Sequence, residues 1–557
     1  MPQPEIEKFL PPREMWPLFT FNIPYAQPPA KINITRDLLE RPAKSREELS
    51  TAILFNDRRI TWRQLIEEIN RVGCGLRSLG IRAADRICLF TSNCPEYVAS
   101  FFAALKIGAI VVPIMFLYGP REIVHAANHS EAKAFIVSAD LLPTIEKIKG
   151  ELKTVEHIIV IDKGWEGLQG LIKQGYLLYT ELISKSYPSL EAVDLRWDDV
   201  YAILYTSGTT GMPKGCVRLV GSFYAGALAH VSALPGGPGD VYMTTAPLQF
   251  SYGLDVLMAW CGSKGAALAI LPPGPLKPEQ IALFICRYGV THFYSIPRVY
   301  DEILRIPDVE KRYNLGIARY CISAAYPLSK DTFERWKAKF GVKIRTLFGT
   351  TETQACLYCW REDDAPCSLG SPEPGFNVVV IDDDGRLCGP GKEGQLAIQG
   401  HGGALYWKDF DKQKEAVFNG WTLTGDLVYR DEQGNLWWKG RIKDVLKVSG
   451  ATVSPFEIEE VIMQHPAVKE VAVVGKPDEV RGEVPVAYII LKEGYTPSDA
   501  LADEVKKLVR SQLAAYKQVR ELKFVEDFPR GPTGKVLRRV LRQMSIEGET
   551  KVKFSGH

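Results

Sequence analysis

The chain has 557 residues, 46% of them apolar and 24% charged, which is the composition of a folded globular protein. At roughly 150 residues per domain it holds three or four structural units and can bury several cores. Lys and Arg number 68 against 66 Asp and Glu, a net charge of +2, which excludes a small module, a disulfide knot and an acidic disordered tail and gives no reason to expect a nucleic-acid partner.

The opening MPQPEIEKFLPP is polar and broken by prolines, with neither a basic n-region nor an apolar h-region. Reduced thiols and a cytoplasmic location are expected. Cys356, Cys359 and Cys367 lack a fourth ligand at finger spacing and read as buried thiols. The stretch 61–81, TWRQLIEEINRVGCGLRSLGI, has helical spacing, with Thr61 as its N-cap. DRICLFTSN then reads as a strand and turn. Residues 97–119, YVASFFAALKIGAIVVPIMFLYG, imitate a membrane span. Lys106, Gly108 and Pro113 interrupt them, so a buried helix feeding a buried strand is expected and no membrane span.

AKAFIVSAD and VEHIIVIDK read as further short buried strands separated by helices. This alternation predicts a largely parallel, doubly covered sheet. Residues 186–300 repeat the rhythm: DDVYAILYTSG, a helix near 217–233, DVYMTTAP, a helical run, then GAALAIL. His230 and His292 fall in apolar patterns and read as core residues. From about 373, strand signals with Asp/Gly turns predict a small antiparallel-rich unit, in which Trp437 and Trp438 pack the sheet. Residues 444–557 alternate helix and strand again, so a boundary is expected near 440–445.

The densest chemical signal is YTSGTTGMPKG (205–215), directly after an apolar strand. Thr206, Ser207, Thr209 and Thr210 supply hydroxyls, and Gly208 with its neighbouring glycines lets backbone N–H groups wrap a polyanion. Lys214 adds a positive charge. Gly215 follows that lysine, so this is not a Walker loop. In FGTTE (348–352), Phe348 can stack on a planar base, Thr351 can donate to a phosphate and Glu352 can hold a hard cation; Thr351 and Glu352 fit a capping role equally. Asp426 of TGD can accept from two ribose hydroxyls. GRIKDVLKVSG (440–450) packs Arg441, Lys443, Asp444 and Lys447 into a turn that suits a solvated hinge or a site closing over anions. PRGPTGKVLRRVLR (529–542) presents Lys535 before a basic helix. It is either a flexible basic tail or a lysine delivered to an anionic centre.

The order of these five motifs, over roughly residues 60–540, resembles the adenylate-forming superfamily of acyl- and aryl-CoA synthetases, luciferases and nonribosomal peptide adenylation domains. LPPREMWP (10–17) looks like the start of benzoate- and aminobenzoate-CoA ligases. The resemblance implies an α/β fold. A large N-terminal domain (1–442) has several subdomains of βα-layered sheets and a small β-rich unit, and a small mobile α+β C-terminal domain (443–557) follows it.

The implied reaction is AMP-forming. A carboxylate attacks ATP to give an acyl-adenylate and pyrophosphate, and CoA then gives the thioester. The resemblance assigns Thr206, Ser207, Gly208, Thr209, Thr210 and Lys214 to the β- and γ-phosphates. Ser323, Ala324, Phe348 and Gly349 fall to the adenine, Thr351 to the α-phosphate, and Glu352 to Mg²⁺. Asp426 and Arg441 take the ribose, Lys443 the hinge, Lys535 the adenylation step, and Gly450 the approach to the pantetheine channel.

APLQFSYG (246–253) departs from the family pattern. Gln249 replaces a common Phe, and Phe250 stands where His is common. Phe250, Tyr252, Gly253 and the unusual Tyr326 are expected to line the substrate pocket. An aryl acid such as benzoate is the expected substrate. A short, medium or branched fatty acid, loading of a separate carrier protein, and a non-catalytic nucleotide-binding protein are the alternatives. A small-molecule carboxylic acid and CoA are the expected partners, with a homodimer as the oligomer to test.

Overall fold

In the computed structural model, residues 4–20, 23, 29–41, 49–163, 175–206, 212–530 and 536–547 are described. After short 3-10 turns at Pro4–Phe9 and Arg13–Met15 and a π-helical turn at Thr35–Glu40, the chain forms β1 (Thr51–Phe55), β2 (Arg58–Thr61) and α1 (Trp62–Ser78). Thr61 caps α1 as its sequence predicts. Its hydroxyl accepts from the Gln64 amide N–H at 3.2 Å, and the Gln64 side chain accepts from the Thr61 N–H at 2.9 Å, satisfying two donors that the helix leaves unpaired. Leu65, Ile69, Val72 and Leu76, at helical spacing, form its buried face.

β3 (Arg86–Phe90), α2 (Pro95–Lys106) and β4 (Ile110–Pro113) follow. Every residue of α2 and β4 is buried, so the apolar stretch 97–119 is a buried helix feeding a buried strand. Among the described residues, no helix is long and apolar enough to cross a membrane. The βα rhythm continues through α3 (Pro120–Ser130), β5 (Ala132–Ser138), α4 (Leu142–Ile148), β6 (His157–Ile161), β7 (Leu177–Leu178), α5 (Tyr179–Ser184) and β8 (Val200–Thr206).

The expected helix near 217–233 starts later. Lys214–Leu219 is a strand, β9, and the helix α6 runs Val220–Ala233. β9 pairs antiparallel with β8 and places Thr206 opposite Lys214. The chain thus leaves and re-enters one sheet around the hydroxyl-rich loop. This sheet has the order β7-β6-β5-β3-β4-β8-β9, parallel except at β9.

The second sheet adds β10 (Val241–Thr244), β11 (Ala267–Ile270), β12 (His292–Ser295), β13 (Tyr320–Ser323), β14 (Ile344–Thr350), β15 (Gln354–Tyr358) and β16 (Ser371–Pro372). Its order is β16-β15-β14-β13-β12-β10-β11-β1-β2, with a parallel centre and antiparallel edges. The helix α7 (Ser251–Gly262) is buried along its whole length. Its Trp260 stacks on Trp62 at 5.1 Å, so α1 and α7 share one core.

β17 (Asn377–Ile381), β18 (Gly394–Gln399), β19 (Val417–Phe418), β20 (Trp421–Arg430) and β21 (Leu436–Arg441) form the strand-rich stretch expected from 373. By internal contact the chain divides into Met1–Val379 with Ala397–Thr424, and Val380–Leu396 with Gly425–His557. The division expected at 442/443 falls inside the second of these units. The second unit contains β22 (Leu446–Val448), β23 (Ala451–Val453), β24 (Val468–Asp478), β25 (Gly482–Leu491) and β26 (Glu521–Phe524). Helices Pro455–Ile462 and Asp499–Gln512 pack with them around Val473, Ile489 and Val505.

Candidate active site

In the second sheet, β10, β12, β13 and β14 run parallel, so Thr244, Ser295, Ser323 and Thr350 share one edge. Ligands of open α/β sheets bind outside the carboxyl ends of the strands. The FGTTE segment occupies that edge. β14 extends through Phe348 and Gly349 to Thr350, and β15 returns from Gln354.

The turn between them is held by Thr350 and Thr353. The Thr350 N–H donates to the Thr353 hydroxyl at 3.1 Å, and the N–H groups of Glu352 and Thr353 each donate to the Thr350 hydroxyl at 3.2 Å. No helix follows, so the capping reading of Thr351 and Glu352 does not hold, and their side chains are not consumed by the turn. A Cβ on Gly349 would stand 2.1 Å from the Gln354 carbonyl oxygen, which reserves this position for glycine. Gln354 itself has φ +64°, an uncommon conformation that the tight return enforces.

Glu352 is oriented by a residue that sequence reasoning missed. The buried Tyr406 donates its hydroxyl to Glu352 Oε1 at 2.6 Å. Burial, followed by the charge of Glu352, pushes the Tyr406 pKa up, so the phenol stays a donor. The other oxygen of Glu352 takes no hydrogen bond from a described residue. A half-buried carboxylate with one oxygen fixed and one available suits a hard cation.

The hydroxyl-rich loop is framed on the first sheet. Ser207, Gly208, Thr209 and Thr210 lie outside the described residues; Thr206 and Lys214 are the register pair at its base. The Tyr118 hydroxyl donates to the Tyr205 carbonyl at 2.7 Å. His125 Nε2 lies 2.9 Å from the Pro213 carbonyl, and His129 Nδ1 lies 2.9 Å from the Tyr205 hydroxyl. Burial, with help from His125, lowers the His129 pKa to about 4, so its imidazole stays neutral.

Lys214 pairs with Asp409 at 3.0 Å. Asp409 also caps the helix Phe410–Ala416 by accepting from the Lys412 N–H at 3.0 Å. Burial pushes the Asp409 pKa up, but the Lys412 amide and Lys214 together hold it below the ordinary carboxylate range. The Cys216 thiol donates to the Thr351 carbonyl at 3.4 Å, so the strand that carries Lys214 also touches the FGTTE turn.

Phe250, at the N-cap position of α7, is half-buried. The Tyr252 hydroxyl donates to the carbonyls of Ser295 and Ile322, each at 3.2 Å, tying α7 to the ends of β12 and β13. Gly253 plays a packing part, since a Cβ there would stand 2.1 Å from the Pro247 carbonyl oxygen. In the loop after β13, Ser323 and Ala324 are buried, whereas Tyr326 is 41% exposed. The Ala324 N–H donates to the Ser295 carbonyl at 3.1 Å, and the Ser323 hydroxyl has no partner among the described residues.

The second unit carries another cluster. β20 and β21 set Asp426 opposite Arg441, and Arg441 Nε meets Asp426 Oδ1 at 3.2 Å. Trp438 Nε1 donates to the same oxygen at 2.9 Å. Trp438 is therefore a positioning residue as well as a packing one, with its ring 4.5 Å from that of Phe456. Lys443 lies in the turn after β21. There the Ile442 N–H donates to the Gly425 carbonyl at 2.9 Å, and the N–H groups of Asp444 and Val445 donate to the Arg441 carbonyl at 2.9 and 3.1 Å. Gly450, with φ +82°, turns β22 into β23. Lys535 lies outside the described residues. Among the described residues, no group of three or more His, Cys, Asp or Glu gathers as a metal cluster.

The family model for AMP-binding enzymes matches residues 39–406, and that for the AMP-binding enzyme C-terminal domain matches 457–535. The anthranilate CoA ligase AuaEII, solved in complex with anthranoyl-AMP, is 33% identical with a TM-score of 0.85, over 93% of this chain and 98% of that one. The benzoate–CoA ligase of Thauera aromatica is 32% identical over 92% of this chain and 96% of its own. The acetyl-coenzyme A synthetase of Bacillus subtilis is 31% identical over 93% and 91%.

Proposed function

The chain belongs to the AMP-binding enzyme family and is an AMP-forming acyl- or aryl-CoA ligase acting with ATP and CoA; from that premise we propose that its acid is an aryl acid, benzoate or a substituted benzoate. The observation that carries this reading is aromatic. The Tyr252 and Tyr294 rings meet edge to face at 6.3 Å, and His230 lies between Tyr294 and Tyr358 with centroids at 5.8 and 5.1 Å. Tyr252 lies two residues after Phe250 and Tyr358 six residues after Glu352, so the elements that carry the candidate site also contribute this aromatic group. The relatives named for anthranilate and benzoate support the same class.

The chemistry follows from the residues. Substrate carboxylate and ATP phosphate repel, so the first step needs fixed positive charge at the point where they meet. Lys214 and the 206–210 hydroxyls hold the β- and γ-phosphates and accept the pyrophosphate charge as it leaves. Lys535 bridges the attacking carboxylate and the nucleotide. Glu352, oriented by Tyr406, would hold Mg²⁺, which would offset phosphate charge. Asp426, held by Trp438 and Arg441, takes the ribose hydroxyls. Rotation about Lys443 withdraws Lys535 and admits the CoA thiol to the adenylate carbonyl, with AMP leaving. Phe250 stands where the polar contact of a histidine is common and instead gives an apolar wall.

The test is a panel of benzoate, hydroxybenzoates, aminobenzoates, phenylacetate and C3–C8 alkyl acids with ATP and CoA, read as AMP and thioester together. The aryl series is expected to lead in kcat/KM. A lead by the alkyl acids refutes the aryl assignment.

A further inference from the structure

Behind the Glu352 turn, α6, α7 and β15 enclose a cavity of about 10 Å³ lined by Gly226, His230, Asp255, Gln354, Ala355 and Glu373, among others. That is room for one heavy atom the size of a water oxygen. The wall is polar although it is deep: Asp255 is 7% exposed and Glu373 2%. Neither Asp255 Oδ1 nor Glu373 Oε1 has a hydrogen-bond partner among the described residues. Both nitrogens of the buried His401 lack one as well; His401 Nε2 is 3.5 Å from Glu373 Oε2. An unmade hydrogen bond at a buried polar atom is unfavourable, so this wall can take a hydrogen-bonding partner.

His230 and Gln354 have hydrogen-bond partners of their own, although His230 Nδ1 also lies 3.7 Å from Glu373 Oε1, and Arg218 Nε is itself without a partner among the described residues. His230 is held by the hydroxyls of Tyr358 and Tyr294. With its amide oriented to suit both neighbours, Gln354 accepts from Arg218 at 2.8 Å and donates to the Ser222 carbonyl at 3.2 Å. Arg218 also donates to the Ser251 hydroxyl at 3.1 Å. Gly226 keeps the space open, because a Cβ there would lie 3.0 Å from the Gln354 amide and 3.5 Å from both His401 Nε2 and Met258 Sδ. The cavity adjoins the start of β15, immediately after Glu352, and the second turn of α7, immediately after Phe250 and Tyr252.

We infer that this cavity is a specificity subsite that receives a hydrogen-bond-donating substituent of the acid, a hydroxyl or an amino group, with Asp255 as its acceptor. The inference rests on the aryl reading above and narrows it to hydroxy- or amino-substituted aryl acids. A methyl group of the same size fills the space but offers no hydrogen bond to Asp255 Oδ1 or Glu373 Oε1. A site built to hydrogen-bond a substituent rejects the analogue that lacks it far more strongly than an apolar pocket rejects a methylene.

The experiment compares isosteres: the three hydroxybenzoates and three aminobenzoates against the three toluates and benzoate, each read by pyrophosphate release. For at least one ring position, the hydroxyl or amino acid is expected to exceed the matching toluate by about tenfold or more in kcat/KM. Asp255→Leu should bring that ratio close to one. Should it fold poorly, Gly226→Ala keeps every charge and fills the space. It should lower kcat/KM for the favoured substituted acid relative to benzoate by about tenfold. Toluates turned over as well as their hydroxy and amino counterparts, with ratios unmoved by either variant, overturn the inference and leave the cavity to a structural water. Turnover of alkyl acids alone overturns the aryl reading, and the subsite with it.

Discussion

Glu352 and Asp426 show how single carboxylates are readied here. Each has an oxygen fixed by an aromatic donor far along or across the chain, Tyr406 for one and Trp438 for the other. Such bonds set orientation before any ligand arrives, which is what electrostatic preorganisation requires. The lysine of the 529–542 segment is read from sequence alone. From Arg530 to Arg539 there are four basic and no acidic side chains, and Lys535 stands in the Gly/Pro-rich part. Lys535→Ala is expected to lower pyrophosphate release by several orders of magnitude while sparing thioester formation from a supplied acyl-adenylate. Equal loss in both half-reactions contradicts the role. Motif residues were legible one by one because their chemistry is local. Their orienting partners were not, since Tyr406, Trp438, His125, His129 and Asp409 carry no motif and meet the site only through folding.

Among the elements, the β14–β15 return bears most directly on the chemistry. Gly349 sits against the Gln354 carbonyl with no room for a side chain, and backbone cannot step aside as a flexible side chain can. Gly349→Ala is expected to cost about 1–3 kcal/mol of stability, as overpacking does, and to reduce adenylation more than that loss explains by displacing Thr351 and Glu352. A thermal melt paired with pyrophosphate release checks it, and an unchanged midpoint refutes it. The elements legible in sequence were those whose pattern fits one period: α1 with its Thr61 cap, the largely apolar α2, and the buried parallel strands. β9 was read as the start of a helix. KGCVRL is short and buried on both faces, so its periodicity does not choose between helix and strand, and only pairing with β8 decides it.

For the molecule as a whole, burial of ionisable groups predicts acid sensitivity. Burial lowers the pKa of His129 and His292 to about 4 and of His230 and His401 to about 3. In the unfolded chain each binds a proton near about pH 6.5. Unfolding therefore takes up protons below that pH, and stability falls as pH falls from 6.5 toward 4. Asp255, raised by burial to about 7, and Glu373, also raised by burial, act in the opposite sense, being protonated when folded and ionised when unfolded. Burial raises Asp444 as well, and four imidazoles still outnumber three carboxyls. Each net proton contributes about 1.4 kcal/mol per pH unit. The melting midpoint should drop steadily from pH 6.5 to 4.5; a level or rising midpoint on acidification contradicts this balance.

The near-neutral charge and length of the chain excluded whole classes of protein but could not show where charge is concentrated. The order of YTSGTTGMPKG, FGTTE, TGD, GRIKDVLKVSG and PTGK by itself determined the family and the ATP chemistry, because phosphate-wrapping loops and their lysines must be contiguous in the chain. Alternating apolar runs likewise determined the α/β class. The acid was undetermined, since the groups behind Glu352 come from residues near 226, 255, 354 and 373, whose types say nothing until α6, α7 and β15 bring them to one small cavity. Only the tertiary structure decided that a carboxylate faces that cavity, because in sequence Asp255 is one charged residue in a largely apolar helix.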